Sequence, residues 1–65
     1  MKITINKQEH ELQAGATVAD AVAAIAAKPP FAVAVNMQFV PRAQYAQHAL
    51  HDGDRVEIIS PVTGG

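Results

Sequence analysis

Cysteine and tryptophan are absent from this chain, and aromatic side chains are few, only Phe31, Phe39 and Tyr45. Without cysteine there are no disulfide staples, no zinc–thiolate sites and no thiol nucleophile. A bilayer-spanning helix needs about 20 consecutive apolar residues, and no run here comes near that, so no membrane partner is expected. Neither sign of charge prevails: five Lys and Arg against six Asp and Glu leave a net charge of −1. The cations Lys2, Lys7, Lys28, Arg42 and Arg55 are scattered, whereas a nucleic-acid footprint needs a basic stripe; no nucleic-acid partner is expected either. The opening MKITINKQEH has a strand rhythm, not the basic-then-apolar order of a signal peptide, and a cytoplasmic location is expected.

At 65 residues the chain makes one domain, and a domain of that size buries only about 60% of the surface its unfolded chain exposes. A core so small rarely contributes more than ~3–5 kcal/mol of net stability. No deep pocket is expected, so chemistry that needs an enclosed, dry site belongs to a partner. The chain itself is not expected to be an enzyme.

What is there is a regular succession of short elements. Lys2 to Asn6 alternates polar and apolar, with Ile3 and Ile5 on one face, which predicts a half-buried strand. After a turn at Asn6-Lys7-Gln8, Glu9 to Gln13 returns as its hairpin partner with Leu12 facing in. His10 is expected to face solvent. Thr17 then predicts a helix start, its side chain accepting from the first free amides and Asp20 lying near the positive end of the helix dipole. Val18, Ala21, Val22 and Ile25 recur at helical spacing and give a narrow apolar face. Pro29-Pro30 is expected to end that helix, with Lys28 in its last turn.

Phe31 to Asn36 reads as a central strand, Asn36-Met37-Gln38 as a turn, and Phe39-Val40 as a short return strand ended by Pro41. Arg42 to Leu50 is a polar, Ala-rich stretch with a helical turn near Tyr45, and Leu50 is expected to plug the sheet edge. Asp52-Gly53-Asp54 is a turn signal. Arg55 to Ser60 is the last strand, with Val56 and Ile58 inward and Glu57 and Ile59 outward. The fold class is α+β, with a helix packed across one face of a mixed sheet of four to five strands. Residues 1–60 are expected to form the domain and residues 61–65, Pro-Val-Thr-Gly-Gly, a flexible tail.

Taken together, the hairpin, the helix followed by Pro-Pro, VNMQFVPR, the DGDRVEII turn and strand, and the final Gly-Gly resemble the ThiS family of sulfur carriers in thiamine biosynthesis, which have the ubiquitin-like β-grasp fold. The resemblance runs nearly the whole length. It implies that the carboxylate of Gly65 is adenylated by an E1-like, ThiF-like activating enzyme that uses ATP and Mg, the carrier itself binding no cofactor. It further implies that a persulfide donor such as a cysteine desulfurase then supplies sulfur. The resulting thiocarboxylate passes the sulfur to a ThiG-like thiazole synthase, and Val62, Thr63 and Gly64 thread the partners' active sites ahead of Gly65.

Physical chemistry supports such a tail independently. An α-carboxyl group has a pKa of about 3.3–3.7, so at neutral pH it is a charged carboxylate that resists nucleophiles until an oxygen becomes part of a leaving group. Two glycines let the backbone enter a narrow channel in torsions closed to other residues, with no side chain blocking the carbonyl. The chain has no thiol, so a transferable sulfur has no side chain to ride on.

Ile59 is a candidate docking residue as an apolar side chain on the open sheet face just before the tail, against the ordinary occurrence of singly exposed hydrophobes. Arg42 is a second candidate, able to pair with a partner carboxylate or to make a turn contact within the domain. Pro61 stops the last strand from extending its ladder into the tail. His48 and His51 offer two ligands with no third, a weak site, and Asp52 and Asp54 lack the oxygen shell calcium needs; surface histidines and a turn are expected instead, with no metal site. Three other readings remain open: the small subunit of a molybdopterin synthase, which resembles this fold but usually runs longer; a ubiquitin-like protein modifier; and an inert β-grasp interaction module.

Overall fold

A computed structural model describes residues 1–60. Five strands and one α-helix follow in the order β1 (Lys2–Ile5), β2 (Gln8–Glu11), α1 (Val18–Ala24), β3 (Ala32–Val35), β4 (Gln38–Val40) and β5 (Arg55–Ile59), with a 3-10 turn at Arg42–Gln44. The strands form one sheet in the order β2-β1-β5-β3-β4. β1 and β5 run parallel, and the other neighbours are antiparallel. The mixed sheet with a helix on one face is the β-grasp arrangement expected, and it places β5 between β1 and β3.

Alternation along the strands decides what the core is made of. Ile3 and Ile5 of β1, Val33 and Val35 of β3, Val40 of β4 and Val56 and Ile58 of β5 are buried against Val18 and Ala21 of α1, with Leu50 completing the cluster. Fully burying such a side chain is worth about 1.5–3 kcal/mol. The β-branched majority suits a pleated, half-covered surface.

Both hairpins close through two-residue turns, tighter than the three-residue turns expected. Ile5 pairs with Gln8 across Asn6-Lys7, and Val35 pairs with Gln38 across Asn36-Met37. All four turn residues have positive φ: 51° and 72° in the first, 50° and 70° in the second. Positive φ at both central positions is what a type I′ turn requires, and that turn matches the right-handed twist of the strands it joins. β2 accordingly begins at Gln8 and ends at Glu11, leaving Leu12 beyond the strand and packed against the core. His10, expected to face solvent, is half-buried on the core side, because the register sets it opposite Ile3.

The helix starts where expected. The Asp20 carboxylate accepts the Thr17 N–H at 2.8 Å, and the Thr17 hydroxyl donates to the same oxygen at 3.3 Å. Its first two amides, Val18 and Ala19, donate to the carbonyls of His48 and Tyr45, so the loop after β4 satisfies donors that a helix end leaves orphaned. The helix stops earlier than the prolines predict. It closes at Ala24 with Ile25 as its cap, Ala26 takes a φ of 52°, and the amides of Ala26 and Ala27 return to the carbonyls of Ala23 and Val22. This paired return is a Schellman ending. Lys28 therefore lies beyond the helix, not in its last turn.

Candidate functional site

β5 carries the chain from the interior to its C-terminal segment, and both flanks of the strand hold it. On one flank Val35, Ala34, Val33 and Ala32 pair with Val56, Glu57, Ile58 and Ile59. On the other, Thr4 and Ile5 pair with Arg55 and Val56, the Asn6 N–H reaches the Val56 carbonyl at 2.9 Å, and the Asn6 side chain takes over at Ile58. The burial pattern of β5 alternates as expected, with Val56 and Ile58 inward and Arg55, Glu57 and Ile59 outward.

The face of the sheet away from α1 divides into two halves. Over β1 and β2 it is charged and polar, where Lys2 lies opposite Glu11 and Thr4 opposite Glu9. Over β3, β4 and the end of β5 it is mainly apolar: Phe39 sits opposite Ala34, and Ala32 opposite Ile59, with the outward Glu57 across Ala34 from Phe39. Phe39 is 70% exposed and Ile59 58%, and Ala34 and Ala32 of β3 lie on the strand between them. This apolar half adjoins the point where the chain leaves β5. Ile59 was expected here; Phe39 was not singled out. In the pair Phe39-Val40 one apolar residue must face out, and the sequence holds no signal for which until Val40 is known to pair with core Val33.

Arg42 lies elsewhere. It lines a cleft of about 410 Å³ together with Val22, Ala27, Pro29, Pro30, Phe31 and Tyr45, on the helix side of the molecule. The Phe31 and Tyr45 rings stack there with centroids 6.0 Å apart. Ile59 and Arg42 thus occupy different surfaces. Gly65, Gly64, Thr63 and Val62, with Pro61 before them, lie outside the described residues.

The polar residues after the 3-10 turn build structure. The Asp52 carboxylate accepts the Lys2 N–H at 2.7 Å, and Asp54 accepts the His51 N–H at 2.8 Å and the Asn36 side-chain amide at 2.9 Å. Gly53, at φ 89°, makes the turn between them possible. His51 lies 3.9 Å from Asp54 and is exposed. Among the described residues no three His, Cys, Asp or Glu side chains are grouped to hold a metal ion, and no helix is long and apolar enough to cross a membrane.

Comparison with known proteins bears directly on this architecture. Residues 2–65 match the ThiS family. The chain is 36% identical over 66 residues to the sulfur carrier protein ThiS of Escherichia coli (strain K12), covering the whole of both proteins. It is also 36% identical over 66 residues to a protein named thiazole synthase from Paramagnetospirillum magneticum, covering 100% of this chain and 20% of that one. The crystal structure of the thiamine biosynthesis protein ThiS from Geobacter metallireducens superposes with a TM-score of 0.82 at 22% identity, with 100% of each chain covered, which establishes the shared fold. This β-grasp protein therefore belongs to the ThiS family, the sulfur carrier proteins of thiamine biosynthesis, which are carriers and not enzymes.

Proposed function

We propose that this chain carries sulfur as a thiocarboxylate on Gly65 and delivers it for closure of a thiazole ring. The observation that carries the reading is that the family match runs through Gly65 itself. A carboxylate oxygen of Gly65 attacks the α-phosphorus of ATP in a ThiF-like activating enzyme, and pyrophosphate leaves. A persulfide from a donor such as a cysteine desulfurase then attacks the carbonyl carbon and expels AMP, giving an acyl disulfide. A thiol cleaves its S–S bond, leaving the thiocarboxylate on Gly65 and a disulfide on the donor side. Activation is needed because water and thiolates do not displace oxide from a carboxylate, whereas adenylate is a stable leaving group.

A ThiG-like thiazole synthase is the acceptor that the relatives favour. A segment similar to the whole of this chain makes up 20% of a protein named thiazole synthase, which supports thiazole over molybdopterin as the product. The body's part is presentation. Ile59, at the end of β5, and Phe39 of β4 offer exposed apolar side chains, and burying the two against a partner would anchor the carrier while Val62, Thr63 and Gly64 enter the active site. Arg42, following the β4 edge strand, is a second contact for a partner that reaches round to the helix side.

Intact-mass spectrometry tests the reading. The purified chain is incubated with ATP, the activating enzyme and a sulfur donor. Replacement of one terminal oxygen by sulfur is expected; covalent attachment to other proteins would make the chain a modifier, and an unchanged mass would make it an inert module. Growth of a deletion strain without added thiamine, restored by the wild-type chain and not by one lacking Gly64 and Gly65, separates the thiazole role from the molybdopterin one.

A further inference from the structure

We propose that Asn6 is a positioning residue for sulfur loading, clamping the last residues of β5, from which the chain runs on to Gly65. The role rests on the reading of Gly65 as the loaded group. Strand β1 ends at Ile5, opposite Val56, and its backbone turns away at Asn6, where φ is 51°. Without a substitute, the edge of β5 beyond Val56 would lose its parallel neighbour two residues early. The Asn6 carboxamide is that substitute: its Oδ1 accepts the Ile58 N–H at 2.9 Å, and its Nδ2 donates to the Ile58 carbonyl at 3.2 Å. One side chain thereby supplies the acceptor and the donor that the next peptide of a parallel strand would have supplied.

Ile58 stands three residues before Pro61, and the opposite flank of β5 is paired at Ile58 and Ile59 by Val33 and Ala32. Asn6 therefore sets whether the strand end is gripped from both sides or from one. The molecule contains its own control. Asn36 holds the same place in the second hairpin turn, with φ of 50°, and grips the head of the same strand: its Oδ1 accepts the Arg55 N–H at 2.9 Å, its Nδ2 donates to the Asp54 carboxylate at 2.9 Å, and its backbone N–H, which a glycine keeps, reaches the Arg55 carbonyl at 2.7 Å. Each asparagine's Oδ1 accepts a backbone N–H of β5, at opposite ends of the strand, and only one end leads to the C-terminal segment.

The test compares Asn6→Gly with Asn36→Gly, since glycine keeps the positive φ at either turn and removes only the side-chain bonds. Two measurements are made on each full-length chain: hydrogen exchange at the Ile58 and Ile59 amides below the melting transition, and kcat/KM for ATP-dependent adenylation by the activating enzyme, split into kcat and KM for the carrier. For Asn6→Gly, exchange at Ile58 is expected to speed up at least tenfold. Its kcat/KM is expected to fall about tenfold, mainly through KM, the factor that 1.4 kcal/mol corresponds to; re-fixing one freed backbone residue costs an amount of that order. Asn36→Gly is expected to lose similar thermal stability while leaving kcat/KM within twofold of wild type. Equal losses of kcat/KM in the two variants, or none in Asn6→Gly, overturn the positioning role. A wild-type chain that is never adenylated overturns the loading role of Gly65, and Asn6's part in it, whatever the exchange data show.

Discussion

Ala26 is held at a φ of 52° in the position after a helix cap where glycine is the usual occupant, because an L side chain in the left-handed region costs roughly 1–2 kcal/mol. The two return hydrogen bonds from Ala26 and Ala27 hold it there. Replacing Ala26 by glycine relieves that strain, and the greater freedom of glycine in the unfolded chain offsets about 0.4–1 kcal/mol of the gain. Ala26→Gly is therefore expected to stabilise the domain by about 0.5–1 kcal/mol, raising Tm by about 2–8 °C for a domain of this size. A thermal melt in which the variant unfolds at or below the wild-type temperature refutes the assignment. The sequence hid this ending, since an alanine run reads as continuous helix and the double proline is the louder stop signal. His10 was hidden in the same way. Its neighbours Glu9 and Glu11 are polar, and only the register opposite Ile3 turns it toward the core.

Among the elements, the strands were the most legible, because a period of two survives in very short segments. Ile3 and Ile5, Val33 and Val35, and Val56 and Ile58 mark their inward faces without help from neighbours. The turns were legible in place but not in type. Both pair an asparagine with a residue other than glycine, Lys7 at φ 72° and Met37 at φ 70°, although asparagine–glycine is the favoured type I′ pair. The two positions of each turn then have opposite requirements. Lys7→Gly and Met37→Gly remove only left-handed strain, and each is expected to stabilise by about 0.5–1 kcal/mol. Glycine keeps the torsion but deletes two side-chain bonds at either position, both to Ile58 at Asn6 and one each to Arg55 and Asp54 at Asn36, and is expected to destabilise, intramolecular hydrogen bonds being worth about 0.5–1.5 kcal/mol each. Chemical denaturation of the four single variants reads the signs directly, and a turn whose two positions respond alike refutes the division of labour.

The loop after β4 shows why the candidate site was only partly legible. Its sequence is polar and Ala-rich, yet its carbonyls at Tyr45 and His48 cap the helix, and the Leu50 N–H bonds to the Ala16 carbonyl. Leu50 is 3% exposed and sits in the core, not merely at the sheet edge. Such contacts join residues about thirty positions apart and leave no local pattern. The same holds for Phe39 and Ile59, which become one surface only when β3 is laid between β4 and β5.

For the whole molecule, the division between a buried face and an open face predicts that stability and partner recognition separate. Phe39 and Ile59 contribute exposed area, and surface substitutions away from special features usually change stability within ±0.5 kcal/mol. The double variant Phe39→Ser with Ile59→Ser is expected to melt within a few degrees of wild type and to raise KM for the carrier in adenylation at least tenfold. An unchanged KM removes the apolar half of the sheet from the docking surface.

The two chain ends extend the same separation. At the start, the Met1 ammonium donates to the Leu12 carbonyl at 2.6 Å and lies 3.3 Å from the Glu11 carboxylate, while the Leu12 N–H returns to the Met1 carbonyl at 2.9 Å. These contacts extend the β1–β2 ladder by one pair, and the Met1 side chain packs against the core. A fusion ahead of Met1 replaces the ammonium by a neutral amide that must leave without disturbing that pair. Because Glu11 is mostly exposed, the lost ion pair is worth only about 0–1 kcal/mol, and Tm is expected to fall by no more than about 8 °C with sulfur loading intact. A fusion after Gly65 does the reverse. It lies beyond the described residues that build the core and is expected to leave Tm unchanged, but it converts the carboxylate into an amide that cannot attack ATP, so no adenylate and no thiocarboxylate form. Melting curves and intact-mass spectra of the two fusions, made with the same tag, would show this crossed pattern. A C-terminal fusion that still gains sulfur at full rate would show that the reactive group lies elsewhere.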